Sequence, residues 1–298
     1  MVEKQQSIDI KAIIIILIAG MVAGSGWFLV KLQVHTVTPE MSAFYRFMLA
    51  GPIAIFYGQF VNKDKFKRDL KTHLELGVIG FFLYSIFYWF SYRTVEYIPS
   101  GIVSVIMSMM ILTNALFSSV FLKEKITKSI LISSVFCILS FMILFMNDIL
   151  DGDKVNDAVL GFLFGFLALI AYSSGSVFVK KFHFKGMSAA TISGYSMIYG
   201  GILSLCLAGL AGDIVYFESS WPYILSLLYL GLFLSPIVMI SYVYISKNYS
   251  TSHAAIIWII MPITGLLVSS LMNEFVWDLQ ILLGVIIGIV GICISLKK

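Results

Sequence analysis

The sequence predicts an all-α polytopic membrane protein of ten transmembrane helices, built as two inverted five-helix repeats with both termini in the cytoplasm. Three observations carry this expectation. Residues of the set AVILMFWYC make up 59% of the 298 positions and charged residues 12%, whereas a soluble domain has ~45–50% apolar residues, glycine included, and ~25% charged ones. Lysine and arginine crowd into alternate loops. Short motifs return about 150 residues further on.

Apolar runs of about 20 residues, each long enough to cross a bilayer as a helix, lie near 11–31, 41–61, 74–93, 98–121 and 129–147, then near 158–179, 187–211, 221–245, 253–272 and 278–296. Pro39, Pro99 and Pro222 fall at or just before the first turn of a run, where a missing amide hydrogen costs nothing. Pro52, Pro236 and Pro262 fall inside runs and are expected to kink or open their helices. Lys4 and Lys11 before the first run imitate a signal peptide, but the apolar stretch continues to Val30 without a small-x-small cleavage site, so it reads as an uncleaved first span. Cys137, Cys206 and Cys293 sit singly in apolar runs without CxxC spacing, which leaves no basis for a disulfide or a thiolate metal site.

Orientation follows from loop charge, because cytoplasmic loops retain Lys and Arg. With the N-terminus inside, Lys4, Lys11, Lys63, Lys65, Lys67, Arg68, Lys71, Lys123, Lys125, Lys128, Lys180, Lys181, Lys185, Lys247, Lys297 and Lys298 are internal. Only Lys31, Arg93 and Lys154 are external, and Arg46 alone lies within a run. The net charge of +4 is small and divided between two faces, which argues against a nucleic-acid partner.

Gly26-Trp27-Phe28-Leu29-Val30-Lys31 aligns with Gly175-Ser176-Val177-Phe178-Val179-Lys180, and Leu122-Lys123-Glu124 with Met272-Asn273-Glu274. Residues 1–149 and 150–298 are therefore read as two units of five helices. Five is odd, so the second unit enters the membrane upside down, an arrangement that lets secondary transporters exchange conformations about a central site.

The same residues resemble the EamA-type transporters of the drug/metabolite transporter superfamily. Gly24-Ser25 and Lys31 echo the family's first-helix pattern, Tyr45-Arg46-Phe47 its second-helix arginine, and Glu124-Lys125-Ile126-Thr127 the close of its fourth helix. In the second half, Pro262, Glu274, Gly284 and Gly291 match. Ala23 stands where the family usually has Trp, Tyr195 stands opposite Arg46 in the repeat, and Ser134 replaces a glycine. The resemblance implies a metabolite transporter with a central cavity walled by helices 1, 3, 4, 6, 8 and 9.

Arg46 is a candidate binding residue because an intramembrane charge is expensive to keep; it either snorkels to the outer boundary or meets a substrate carboxylate or phosphate. Tyr84, Tyr88 and Tyr92 share a helix face at i, i+4, i+8. With Trp89, they either pack on neighbours and the interfacial belt or line a wet cavity. Tyr229 and Tyr242 occupy the repeat-related helix. Ser104, Ser108, Thr113 and Asn114, then Ser252, Trp258 and Thr264, are polar or aromatic positions with either interhelical or ligand partners, and Ser104 and Ser108 have their own helix to back-bond to. Substrate contact is thus expected among Arg46, Tyr84, Tyr88, Trp89, Ser108, Asn114, Tyr229, Tyr242 and Trp258. Gly20-x-x-x-Gly24, Gly161-x-x-x-Gly165 and Gly284-x-x-x-Gly288 permit close helix approach, within a monomer or, at the last helix, in a homodimer.

No Asp or Glu lies mid-run, and His35, His73, His183 and His253 lie at run edges. Together these features favour alternating-access transport of a small organic metabolite by export, facilitated diffusion or exchange in a bacterial inner membrane, and the resemblance, with Arg46 able to meet a carboxylate, implies an amino acid or relative as the substrate. Glu40, Glu75 and Glu96 keep proton-coupled efflux or uptake open as the alternative, with a channel or receptor more remote. No enzyme motif, cofactor site or metal site is found, and the expected partners are the substrate and the lipid bilayer.

Overall fold

The computed structural model describes residues 9–34, 36–64, 69–126, 128–144, 146, 155–182, 184, 186–212, 216–248, 251–274 and 276–295. Among the described residues all regular structure is helical, with no strand. The first half contains α1 (Ile10–Val34), α2 (Pro39–Phe56), α3 (Leu70–Gly80), α4 (Phe87–Tyr97), α5 (Ser100–Ser108), α6 (Met110–Leu122) and α7 (Lys128–Leu144). The second contains α8 (Val155–Lys181), α9 (Ala189–Ala211), α10 (Trp221–Leu228), α11 (Ser235–Asn248), α12 (Thr251–Leu271) and α13 (Leu279–Ser295). Helix ends fall within four residues of the runs read from the sequence.

Among the described residues, three π-helical stretches interrupt this pattern. Tyr57–Val61 closes α2, Phe81–Ile86 joins α3 to α4, and Tyr229–Leu234 joins α10 to α11. The last two start 148 residues apart and sit at the same place in the two halves. Pro236 lies just beyond the stretch Tyr229–Leu234, where its helix opens locally, while Pro52 and Pro262 lie inside α2 and α12.

Among the described residues, six stretches are long and apolar enough to cross a membrane: Ile10–Val34, Leu70–Tyr97, Ser100–Leu122, Asn156–Lys181, Ala189–Ala211 and Trp221–Tyr242. Lys128–Leu144, Ile256–Leu271 and Leu279–Gly291 are shorter apolar helices. Helix α1 shows why such a chain folds in lipid rather than water. Its large residues Ile10, Ile13, Ile14, Leu17 and Met21 are exposed, while Ala12, Ala19, Gly20, Ala23 and Gly24 are buried. Lipid solvates the bulky face as well as protein would, so the small face decides what packs, by letting a neighbouring backbone come close.

That rule recurs. Gly20 and Gly24 of α1 face α12, where an added Cβ would come within 2.5 Å of Ile260 and 2.7 Å of Thr264. On α8, Gly161 faces Tyr97 and Ile98, and Gly165 faces Ile106 and Thr94. Gly284 and Gly288 of α13 face Leu144 and Ser140 of α7, where Ser140 donates to the Gly284 carbonyl at 2.7 Å. All three glycine pairs are thus occupied within one chain. Helices α2 and α9 cross in the same manner through Gly51 and Gly194.

Candidate functional site

Helix α2 carries Arg46 into the interior, where the whole residue is only 4% exposed. It does not snorkel. Its Nε donates to Ser235 Oγ at 3.2 Å, and the guanidinium lies 4.8 Å from the Tyr88 ring centre and 5.8 Å from that of Phe47. The Tyr92 hydroxyl lies within electrostatic reach of the guanidinium. The π-helical stretch Tyr229–Leu234 makes the first contact possible: it turns Ser235 so that its hydroxyl donates to the Leu230 carbonyl at 2.9 Å, leaving an oxygen lone pair for Arg46.

Behind Arg46 runs a buried polar chain. The Tyr92 hydroxyl donates to Gln33 Oε1 at 3.1 Å, and Gln33 Nε2 donates to Ser226 Oγ at 3.0 Å. Gln33, Tyr92 and Ser226 are all buried. Among the described residues no carboxylate lies within ion-pair distance of Arg46; the recorded pairs are Lys31–Glu274, Lys71–Glu75, Arg93–Glu96 and Lys180–Glu124. A buried cation without a counter-ion carries a desolvation cost of several kcal/mol, offset here by hydroxyls and an aromatic face.

The aromatic wall beside it is continuous. Tyr88 meets Phe47 edge-on at 4.6 Å and Phe87 at 5.0 Å, and Tyr84 meets Phe47 at 5.2 Å. Phe87 in turn touches Tyr172 of α8 at 5.3 Å. The Tyr172 hydroxyl lies within electrostatic reach of Tyr84, Tyr88 and Tyr242, and Tyr242 packs 6.0 Å from Trp258. Of the residues expected to contact substrate, Arg46, Tyr84 and Tyr88 therefore share one chain of contacts that reaches Tyr172, and Tyr242 and Trp258 form a separate ring contact beyond it.

The contacts described for the other four do not reach Arg46. Trp89 turns away from Arg46, donating its indole N–H to Glu40 and meeting Phe164 at 6.2 Å. The Ser108 hydroxyl is spent on the Val105 carbonyl at 2.6 Å, and Ser104 likewise bonds Gly101 at 2.5 Å. Tyr229 shares a 2.9 Å hydrogen bond with Ser25 of α1. Asn114 keeps a buried side-chain oxygen without a partner, as Trp27 keeps its indole nitrogen. Thr113 is bonded by Ser173 at 2.8 Å, and Thr264 back-bonds Ile260 at 3.2 Å. The side chain of Ser252 lies outside the described residues.

Sequence reasoning missed Gln33, Tyr172 and Ser235. Gln33 falls beyond the expected end of the first run, yet α1 continues to Val34. Tyr172 was legible through the repeat, since it stands 149 positions after Ala23, the place the family gives to Trp. A cleft of about 560 Å³ between α3 and α9, lined by His73, Leu74, Phe81, Phe82 and Tyr199, shares no residue with the Arg46 cage.

The EamA-like transporter family model matches residues 10–146 and again 159–297. The chain belongs to the EamA-like transporter family. It is 26% identical over 262 residues to an uncharacterized transporter of Buchnera aphidicola subsp. Schizaphis graminum, covering 87% of this chain and 84% of that one. It is 22% identical over 280 residues to an uncharacterized transporter of Archaeoglobus fulgidus, covering 92% and 95%. With the uncharacterized transporter YdfC of Bacillus subtilis it shares 25% identity over 268 residues, covering 88% and 83%. One solved crystal structure of a protein superposes with a TM-score of 0.65 over 96% of both chains at 15% identity, a likeness of fold alone. An EamA-like chain with these apolar helices is a multi-pass membrane protein, and its family and relatives place it among transporters rather than enzymes.

Proposed function

We propose that this EamA-like protein is a secondary transporter that carries a small organic metabolite bearing a carboxylate or similar anionic group, an amino acid or close relative, by alternating access. The carrying observation is Arg46: a guanidinium 4% exposed, with no carboxylate in ion-pair distance among the described residues. An anionic substrate supplies the missing counter-charge, and a low-dielectric cage strengthens the pairing. The tyrosines Tyr84, Tyr88, Tyr172 and Tyr242 with Trp258 then hold the remainder of the substrate through ring faces and hydroxyls.

Ten crossings, inverted halves and cytoplasmic termini belong to the same reading. It is supported by the lysine and arginine asymmetry, by a family model that matches each half separately, and by π-helical stretches 148 residues apart. Protein in detergent is expected to gain thermal stability from carboxylate metabolites and none from their methyl esters, because binding to the folded state alone raises the melting temperature. Equal stabilisation by acid and ester removes Arg46 from the recognition.

One observation favours proton coupling as the second reading. Glu40 is 7% exposed, takes the Trp89 indole N–H on one oxygen, and has no partner for the other. A carboxylate buried in the first turn of α2 is the group on which a coupled mechanism would draw.

A further inference from the structure

We propose that the pairs Lys31–Glu274 and Lys180–Glu124 are matched gates that open in alternation at opposite ends of the molecule. This rests on the alternating-access reading and adds to it the groups that hold each end shut.

The two pairs are built alike. Lys31 lies in the last turn of α1 and Lys180 in the last turn of α8. Their partners follow the ends of α12 and α6, each directly after a residue in the left-handed region, Asn273 at φ 56° and Lys123 at φ 57°. In each turn the glutamate N–H reaches back to a serine carbonyl, Glu274 to Ser269 at 3.0 Å and Glu124 to Ser118 at 3.4 Å. The ion pairs measure 3.1 Å and 3.2 Å. Such duplication of turn, serine, lysine and glutamate is a repeated device rather than two unrelated surface contacts.

They also lie far apart. Ser100, at the start of α5, donates its N–H and its hydroxyl to Glu274 at 3.0 Å and 2.5 Å. Glu124 follows the other end of the stretch Ser100–Leu122, about 33 Å away at 1.5 Å per residue. Each pair clamps one contact between the halves, α1 on α12 and α8 on α6, so opening the cage toward one end requires breaking the pair at that end. Gln33, bonded to Tyr92 of the cage, lies two residues from Lys31 and links the gate to the site.

The gates are unequal. Glu274 is 5% exposed in its side chain and Lys31 30%, and Ser269 adds its hydroxyl to the Ser100 contacts. Lys180 and Glu124 are each 52% exposed, with Ser118 Oγ accepting from Lys180 at 3.1 Å. Solvent weakens the second pair, so the Lys180 end is the easier to open.

The test reads the two ends without any substrate. In the full chain carrying Cys137→Ala, Cys206→Ala and Cys293→Ala, single reporters Val30→Cys and Val177→Cys, both at buried positions beside the two lysines, are reacted with N-ethylmaleimide in nanodiscs. Glu274→Gln is expected to speed labelling at Val30→Cys about tenfold and to slow it at Val177→Cys, a shift of about 1.4 kcal/mol. Glu124→Gln is expected to do the reverse, and Lys31→Glu with Glu274→Lys to restore the parent rates. If Glu274→Gln does not fold, Lys180→Gln at the exposed pair reads the same coupling from the other end. Variants that change only the nearer reporter, or speed both, show local staples and overturn the proposal. Reciprocal labelling in a protein that shows no metabolite counterflow upholds the gates and removes the transport reading instead.

Discussion

At the scale of single residues, Arg46 is decided by what surrounds it rather than by its depth. A snorkelling arginine reaches water; this one is enclosed by Ser235, Tyr88 and Phe47. Arg46→Gln is expected to weaken binding of a carboxylate metabolite by at least about 2 kcal/mol, roughly thirtyfold, while the melting temperature in detergent stays near wild type, because a buried charge without a counter-ion contributes little stability. A large fall in melting temperature with unchanged affinity assigns Arg46 to structure instead. Tyr88→Ala and Asn114→Ala are expected to lower uptake more than folded yield; activity that falls only in proportion to folded protein makes both packing residues.

The residue scale also carries a pH dependence. Burial raises the Glu274 carboxyl, but hydrogen bonds from Ser100 and Ser269 and the Lys31 ammonium outweigh burial and hold it below the ordinary carboxylate range. A carboxyl depressed on folding stabilises above its unfolded pKa and loses that contribution as pH falls through the lowered folded value. Wild type is therefore expected to hold its Glu274-linked stability from neutral pH down to about pH 4.5 and to lose melting temperature below that, and Glu274→Gln to lose less over the same acid interval. Identical acid profiles for the two proteins contradict the assignment.

Among the helices, close approach explains the order of packing. At Gly24 a Cβ would meet Thr264 at 2.7 Å and the Gly265 backbone nitrogen at 2.8 Å. Backbone cannot rotate aside, so Gly24→Val should separate α1 from α12 and cost about 1–3 kcal/mol, measured as a drop in melting temperature. Gly77→Ala is the control, since an added Cβ there meets nothing within 4 Å. Apolar runs set helix positions to within four residues, because the bilayer requires a long unbroken hydrophobic stretch wherever a helix crosses it. The π-helical stretches were not legible: an extra residue in one turn leaves no mark in a window of about 20. With them went the contact between Arg46 and Ser235. Tyr92 was visible in the tyrosine stripe, but position near a run end pointed equally to the lipid interface, and only its bond to Gln33 separates the two.

For the molecule as a whole, the expectation of two halves rests on Lys31 and Lys180, and Glu124 and Glu274, repeating in register. Their cross-pairing was not, since periodicity gives equivalence and says nothing of contact. Labelling reads the topology: cysteines at Lys181 and Glu218 are expected to react from opposite faces with an impermeant maleimide, as are those at Lys65 and Asp151, which lie outside the described residues. Reaction of Lys181 and Glu218 from one face contradicts the inverted arrangement. Coupling is separable from topology. With the membrane potential clamped, a pH gradient is expected to leave substrate at equilibrium if transport is uncoupled; accumulation that collapses with an uncoupler, and is lost in Glu40→Gln, transfers the mechanism to the Glu40 reading.

The most direct measurement is counterflow in proteoliposomes, with wild type and Arg46→Gln reconstituted at equal folded amounts and labelled amino acids and carboxylates screened against an excess of each unlabelled compound inside. Anion-bearing metabolites are expected to drive exchange through wild type and to drive little through Arg46→Gln. Exchange of neutral or purely cationic compounds alone, at equal rates in both proteins, contradicts an anion-binding carrier centred on Arg46.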